Sequence, residues 1–160
     1  MSYLIDGHNL IPKITGLSLQ QIDDETRLIE LLQVFCRVRR KKVEVYFDQA
    51  PPGRAGTRSF GMVIAHFVRQ GIPADEAILE RLNRLQQTAR NWSVVTSDRH
   101  IQVQARSMSA QVISSEDFAI QLSESLQQLT EKNKKQPDNL SDDEVEEWLR
   151  IFRARQKHIK

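Results

Sequence analysis

The sequence predicts an α/β domain in which a mostly parallel central sheet is flanked by helices. Short apolar runs that suit strands alternate with longer runs whose apolar residues recur every three or four positions. Strands alternating with helices imply right-handed crossovers and a parallel sheet covered on both faces. The chain has 160 residues, close to the ~150 of a typical domain, and enough to bury roughly 70% of the surface an unfolded chain exposes.

Residues 2–5 form the first strand, ending at Asp6-Gly7-His8-Asn9, which reads as a turn. Gly16 and the polar stretch 18–25 form a loop in which Asp23 or Asp24 can cap the next helix. Leu28, Ile29, Leu31, Leu32, Phe35, Cys36 and Val38 give that helix one apolar face. It closes with Arg37, Arg39, Arg40, Lys41 and Lys42, cations that suit the negative end of its dipole. Val43, Val45 and Phe47 alternate with Glu44 and Tyr46 in a second strand ending at Asp48.

The run from Pro51 to Gly56 reads as an exposed loop, and residues 60–68 as a third strand. Gly71 and Pro73 precede a helix that opens at Ala74-Asp75-Glu76. Residues 92–96 make a fourth strand ending at Ser97-Asp98, and residues 99–107 a short helix. Residues 111–113 are a fifth strand, and Ser115-Glu116-Asp117 caps a helix reaching about Thr130. Residues 131–139 read as a polar linker, and residues 140–160 as a C-terminal helical extension carrying Trp148 and Phe152.

Composition narrows the function classes. Hydrophobic residues make up 39% and charged residues 28%, which excludes a fibrous or largely disordered chain. The 23 Lys and Arg against 21 Asp and Glu leave a formal charge of +2, so the placement of charge matters more than its balance. One cysteine, Cys36, excludes an internal disulfide and a Cys-rich zinc module. With no apolar run of ~20 residues and no secretory signal pattern, a reduced cytoplasmic setting without a membrane is expected. Neither a P-loop nor a G-x-G-x-x-G run follows any strand, which argues against nucleotide hydrolysis and dinucleotide binding. Asp6 is followed by Gly7 and His8, so the Asp-x-Asp pair of a common phosphohydrolase design is missing.

The carboxylates carry the functional signal. In an open parallel sheet, ligands bind beyond the carboxyl ends of the strands. Asp6, Asp48 and Asp98 each end a strand and Asp75 opens a helix after one, so all four are expected on one edge. Two carboxylates ~4 Å apart repel by roughly 4 kcal/mol at an effective dielectric of 20. A divalent cation relieves that repulsion, and an all-oxygen donor set favours Mg²⁺ or Mn²⁺ over Zn²⁺. The matching chemistry is activation of a water for in-line attack on a phosphodiester. Taken singly, Asp6 and Asp98 are equally well explained as turn residues, Asp75 as a helix-dipole partner and Asp48 as a structural residue. Asn9, Ser97 and Thr96 serve either the site or the turns, while His8, His66 and His100 occur singly. Arg54, Arg58 and Arg99 are placed to meet backbone phosphates. The cluster from Arg37 to Lys42 is expected at the opposite edge.

One ordered set of motifs resembles a known family. Tyr3-Leu4-Ile5-Asp6-Gly7-His8-Asn9-Leu10-Ile11, Val45-Tyr46-Phe47-Asp48, Ala74-Asp75-Glu76, Val94-Val95-Thr96-Ser97-Asp98-Arg99 and Val112-Ile113-Ser114-Ser115-Glu116-Asp117-Phe118 occur in this order. Together they resemble the YacP-like branch of NYN-domain ribonucleases, within the PIN-like nuclease group, over roughly residues 1–130. The resemblance implies a three-layer PIN-like α/β fold and metal-dependent endoribonuclease activity that uses Mg²⁺ or Mn²⁺ and leaves a 5′-phosphate. It implies Asp6, Asp75 and Asp98 as metal-holding acids, with Asn9 and Asp48 as further catalytic positions. Arg54, Arg58, Ser97 and Arg99 are the candidate substrate-binding residues. RNA, free or presented on the ribosome, is the expected partner. Gln49-Ala50-Pro51-Pro52 stands where the family often has a glycine after the second acid, ahead of the loop that carries Arg54 and Arg58. The alternative is a non-catalytic RNA-binding or ribosome-associated module of the same fold.

Overall fold

Six strands run in the order β3-β4-β2-β1-β5-β6 across one sheet, in a computed structural model that describes residues 1–14 and 23–135. They are β1 (Ser2–Asp6), β2 (Lys42–Ala50), β3 (Gly56–Phe60), β4 (Val63–Arg69), β5 (Trp92–Val95) and β6 (Gln111–Ile113). Every neighbouring pair is parallel except β3 with β4. The helices are α1 (Gly7–Leu10), α2 (Asp24–Arg39), α3 (Ala74–Leu85), α4 (Arg99–Ser107) and α5 (Ser115–Lys135), with 3₁₀ turns at Ile11–Lys13 and Gln86–Asn91.

Three layers follow from the alternation of side chains along β1. Tyr3 and Ile5 face a core built with Leu28, Leu32 and Phe35 of α2 and with Phe118 and Leu122 of α5. Leu4 faces the opposite core, with Ile78 and Leu82 of α3 and Ile101 and Ala105 of α4. Tyr3, Phe35 and Phe118 meet with ring centroids 5.0–5.6 Å apart and so join β1, α2 and α5. Fully burying one such aromatic stabilises by roughly 1.5–3 kcal/mol over leaving it exposed. Because helices cover both faces, residues 43–47 of β2 are all buried despite their alternating polarity.

Some boundaries differ from the sequence reading. Residues 60–68 are not one strand, because β3 and β4 form a hairpin that turns at Gly61 and Met62. The polar edge strand Gly56–Phe60 has no apolar pattern to announce it, being exposed up to Phe60. Gly61, at φ +65°, supplies the backbone conformation that the tight turn needs. The turn after β1 is the short helix α1, capped by Asp6. Ser114, not Ser115, caps α5, through a bond from the Asp117 N–H to Ser114 Oγ at 3.1 Å. Helix α5 continues to Lys135, into the 131–139 segment, since no Gly or Pro intervenes before Pro137. Residues 136–139 and the extension at 140–160 lie outside the described residues, as do residues 15–22 of the first loop. Among the described residues, no helix is long and apolar enough to cross a membrane.

Candidate active site at the carboxyl edge of the sheet

The chain passes from β1 to β2 on one side and, through β4 and α3, to β5 on the other. The order of strands therefore reverses about β1, and a crevice opens beyond the carboxyl end of such a strand. Asp6 is the last residue of β1. Its side chain caps α1, accepting from the Asn9 N–H at 3.3 Å. Gly7 lies against the buried Phe47 ring so closely that a Cβ there would stand 2.3 Å from one ring carbon. This approach brings the end of β1 down onto β2, one residue before Asp48.

Burial pushes the Asp6 carboxyl up from 3.8 to about 6, with repulsion from Asp48 and Asp75 adding to it. The Asn9 N–H and His8 offset only part of this. Two of the other three expected acids, Asp48 and Asp75, thus act electrostatically on Asp6. Asp48 has partners on both oxygens: the His8 ring nitrogen Nδ1 at 2.7 Å and the Ala74 N–H at 3.4 Å, at the start of α3. Asp75 accepts from the Glu76 N–H at 2.7 Å. Asp98 is exposed and caps α4, accepting at Oδ1 from His100 N–H at 2.9 Å and Ile101 N–H at 3.4 Å.

His8 is not the isolated histidine its sequence context suggests. Its Nδ1 faces Asp48 and its Nε2 faces Glu25 Oε2, each at 2.7 Å. The bond to Glu25, seconded by that to Asp48, raises its pKa against the opposing effect of burial. In the charged form both nitrogens donate, so the ring is a cation clamped between two carboxylates. Glu25 joins the site from the first turn of α2, and no sequence pattern pointed to it.

A second network ties the neighbouring strand ends together. Asn9 Oδ1 accepts from the Ser97 N–H at 3.0 Å and from the Ser115 hydroxyl at 2.6 Å. The Ser97 hydroxyl donates to Glu116 at 2.6 Å, and Glu116 meets Lys13 at 3.0 Å. The Ser97 hydroxyl, the Glu116 N–H and Lys13, in that order of effect, hold the Glu116 carboxyl down at about 2. Thr96 Oγ1 accepts from the Asp98 N–H at 3.2 Å. Neither hydroxyl holds the Asp98 carboxylate: Thr96 orients backbone, while the Ser97 hydroxyl accepts from the Ser115 N–H at 3.0 Å and donates to Glu116. Glu116 and Lys13 are members of this edge that the sequence reading did not single out.

The arginines are spread along the same region. Arg54 is exposed in the loop that leaves β2, and Arg99 is exposed at the start of α4 beside Asp98. Arg58, on β3, stacks its guanidinium 5.0 Å from the Phe67 ring centre and pairs in register with Ala65. Among the described residues, no group of three or more His, Cys, Asp or Glu side chains is already arranged to hold a metal ion. Magnesium is commonly held by one or two carboxylates together with waters, so its binding does not need such a cage.

Comparisons with known proteins agree with this architecture. A family model described as the YacP-like NYN domain matches residues 3–153. The crystal structure of Rae1 (YacP) from Bacillus subtilis is similar at a TM-score of 0.73 and 20% identity, covering 98% of this chain and 95% of that one. The W164L mutant of the same protein is similar at 0.69 and 22%, covering 94% and 92%. No curated protein matches the chain.

Proposed function

Since the chain belongs to the YacP-like NYN domain family, we propose that it is a metal-dependent endoribonuclease whose active site is the carboxylate edge centred on Asp6. The family supports a nuclease-type activity on RNA. The observation that carries the finer reading is the Asp6 carboxyl, lifted to about 6 by burial and by the nearby Asp48 and Asp75. A mostly buried carboxylate with two further carboxylates acting on it suits a hard cation in charge and in donor type.

In this reading Asp6, Asp75 and Asp98 hold Mg²⁺ or Mn²⁺ directly or through waters. The ion would lower the pKa of a bound water and carry the negative charge that develops on the phosphate. The chain's own groups orient the reaction. Asp48, fixed by His8 and the Ala74 N–H, holds its place near Asp6. Asn9 keeps the ends of β1 and β5 in register by accepting from Ser97 and Ser115. Arg99 and Arg54 meet non-scissile phosphates, with Arg58 further along the strand. In-line attack by water leaves the 5′-phosphate that the family resemblance implies.

Asp6→Asn keeps the cap on α1 but removes the charge. Incubated with structured and single-stranded RNA in Mn²⁺, the native chain is expected to cleave and to stop on chelation. The variant is expected to lose at least about a hundredfold in rate while its circular dichroism is unchanged. Cleavage at the native rate by the variant sinks the assignment. Chelator-insensitive RNA binding without cleavage at any metal concentration would instead identify a non-catalytic RNA-binding module.

A further inference from the structure

The edge of the sheet opposite the carboxylates carries positive charge that no acid among the described residues pairs, Arg39 apart. Arg37 and Arg39 lie in the last turn of α2, Arg40 caps it, and Lys41 and Lys42 lead into β2. Cations in a last turn suit the helix dipole, but that effect fades within the turn and does not account for Lys41 and Lys42. Arg39 has partners of its own, donating to Ser125 Oγ at 3.0 Å and meeting Glu124 at 3.6 Å. Among the described residues, Arg37, Arg40, Lys41 and Lys42 form no ion pair. The Met1 ammonium lies against Lys41, and the hydrogen bond and repulsion between them lower its pKa. Glu44, the nearest acid on β2, is buried and already held by His66 and Arg81.

Lys42 pairs with Ser2 where both strands open, whereas Asp6 and Asp48 lie towards their far ends. At ~3.3 Å per residue, Lys42 stands about 13 Å from the level of Asp6 and about 20 Å from Asp48 along the strands. A site built from carboxylates repels a polyanion, so affinity for a phosphodiester chain must come from cations placed elsewhere.

We propose that Arg37, Arg40, Lys41 and Lys42 form a second contact for the RNA phosphate backbone, reached only by strands long enough to pass from the carboxylate edge to the opposite one. This rests on the ribonuclease reading and adds to it where the substrate is held and why length matters. The path around the surface is longer than these straight separations, so the three phosphates of a tetranucleotide, one of them held at the carboxylates, stay on one edge. A strand of thirty nucleotides engages both.

The test uses the full chain carrying Arg37→Gln, Lys41→Gln and Lys42→Gln together, with Arg40 left in its left-handed cap. Binding of an unstructured thirty-nucleotide RNA is measured against salt concentration in chelator, and tetranucleotide cleavage is measured in Mn²⁺. The variant is expected to bind the long RNA at least tenfold more weakly. Its log–log salt slope should be shallower by about 2, at ~0.7 per phosphate contact. Tetranucleotide cleavage and circular dichroism should stay as in the parent. Unchanged long-RNA affinity and slope overturn the proposal. That includes the case in which Asp138, Asp142, Asp143, Glu144, Glu146 and Glu147 of this chain cover the ridge, where the variant loses thermal stability instead. Loss of tetranucleotide cleavage in a folded variant also overturns it, by tying the ridge to the active site. If the parent cleaves nothing yet the variant loses long-RNA binding, the ribonuclease reading fails and the ridge stands.

Discussion

Gly7 shows how one residue sets the geometry of the site. The Phe47 ring beneath it is fully buried and cannot swing aside for an added methyl, which would sit 2.3 Å and 2.5 Å from two of its carbons. Gly7→Ala is expected to destabilise the protein by about 1–3 kcal/mol through overpacking. It should also reduce cleavage, because the turn carrying Asp6, His8 and Asn9 must lift off β2. Urea unfolding and a cleavage assay check both, and Phe47→Leu in the same chain should restore part of the stability. A Gly7→Ala chain as stable as the parent contradicts the contact. At this scale the sequence placed Asp6 correctly as the last residue of β1. However, β2 runs two residues past Asp48 to Ala50 and β5 stops at Val95, three residues before Asp98, because period-two patterning shows that a strand exists better than where it stops. The sequence could not show His8 between Asp48 and Glu25. That bridge depends on where α2 starts after a long polar loop, and no local pattern encodes this. Nor could it show that Asn9 spends its amide oxygen on Ser97 and Ser115, residues far away in the chain.

Elements were legible where burial imposes a period and obscure where it does not. The α4 and β6 boundaries match the sequence reading because Ile101 and Ala105 are buried and Val112 and Ile113 pack against the two cores. The β3 strand escaped because an edge strand exposed to solvent needs no apolar alternation. Glu44 makes the converse case. Its alternation with valines suggests a solvent face, yet it is buried at the junction of β2, β4 and α3. There it accepts from Arg81 Nη2 at 3.1 Å and pairs with His66 Nε2 at 2.9 Å. Burial alone would raise its pKa, but the bonds from His66 and Arg81 outweigh burial and lower it. A carboxyl depressed in the folded state adds stability above its unfolded pKa and loses it as pH falls through the folded one. Glu44→Gln should therefore destabilise by about 1–3 kcal/mol at pH 7. The gap to the native chain should narrow as pH falls from 7 to 3, measured by urea unfolding. A gap independent of pH would mean that shape rather than charge joins these three elements.

Across the described residues, one sheet separates two charge populations, with acids at its carboxyl edge and, at its amino edge, cations of which Arg37, Arg40, Lys41 and Lys42 form no ion pair there. The net charge of +2 conceals this division, which becomes visible only when the residues are assigned to strand ends. The division has a cost to folding. A carboxyl raised from 3.8 to about 6 is harder to ionise in the folded state than in the unfolded one. Asp6 therefore destabilises the fold by an amount absent below pH 4, growing between pH 4 and 6 and complete above that. At 1.36 kcal/mol per pKa unit this comes to about 1–3 kcal/mol. Without metal at pH 7, Asp6→Asn should consequently be more stable than the native chain, and the advantage should fade toward pH 4. A cation that binds the folded state adds stability by mass action, about 2.7 kcal/mol at a concentration a hundred times its Kd. In saturating Mn²⁺ the native chain should therefore gain stability that the variant does not, and the order of the two should close or invert. Thermal melts of both proteins at pH 7, in chelator and in Mn²⁺, read this out. If Asp6→Asn is the less stable protein in chelator and both respond equally to Mn²⁺, then Asp6 is a cap for α1 and the carboxylate edge does not bind the ion.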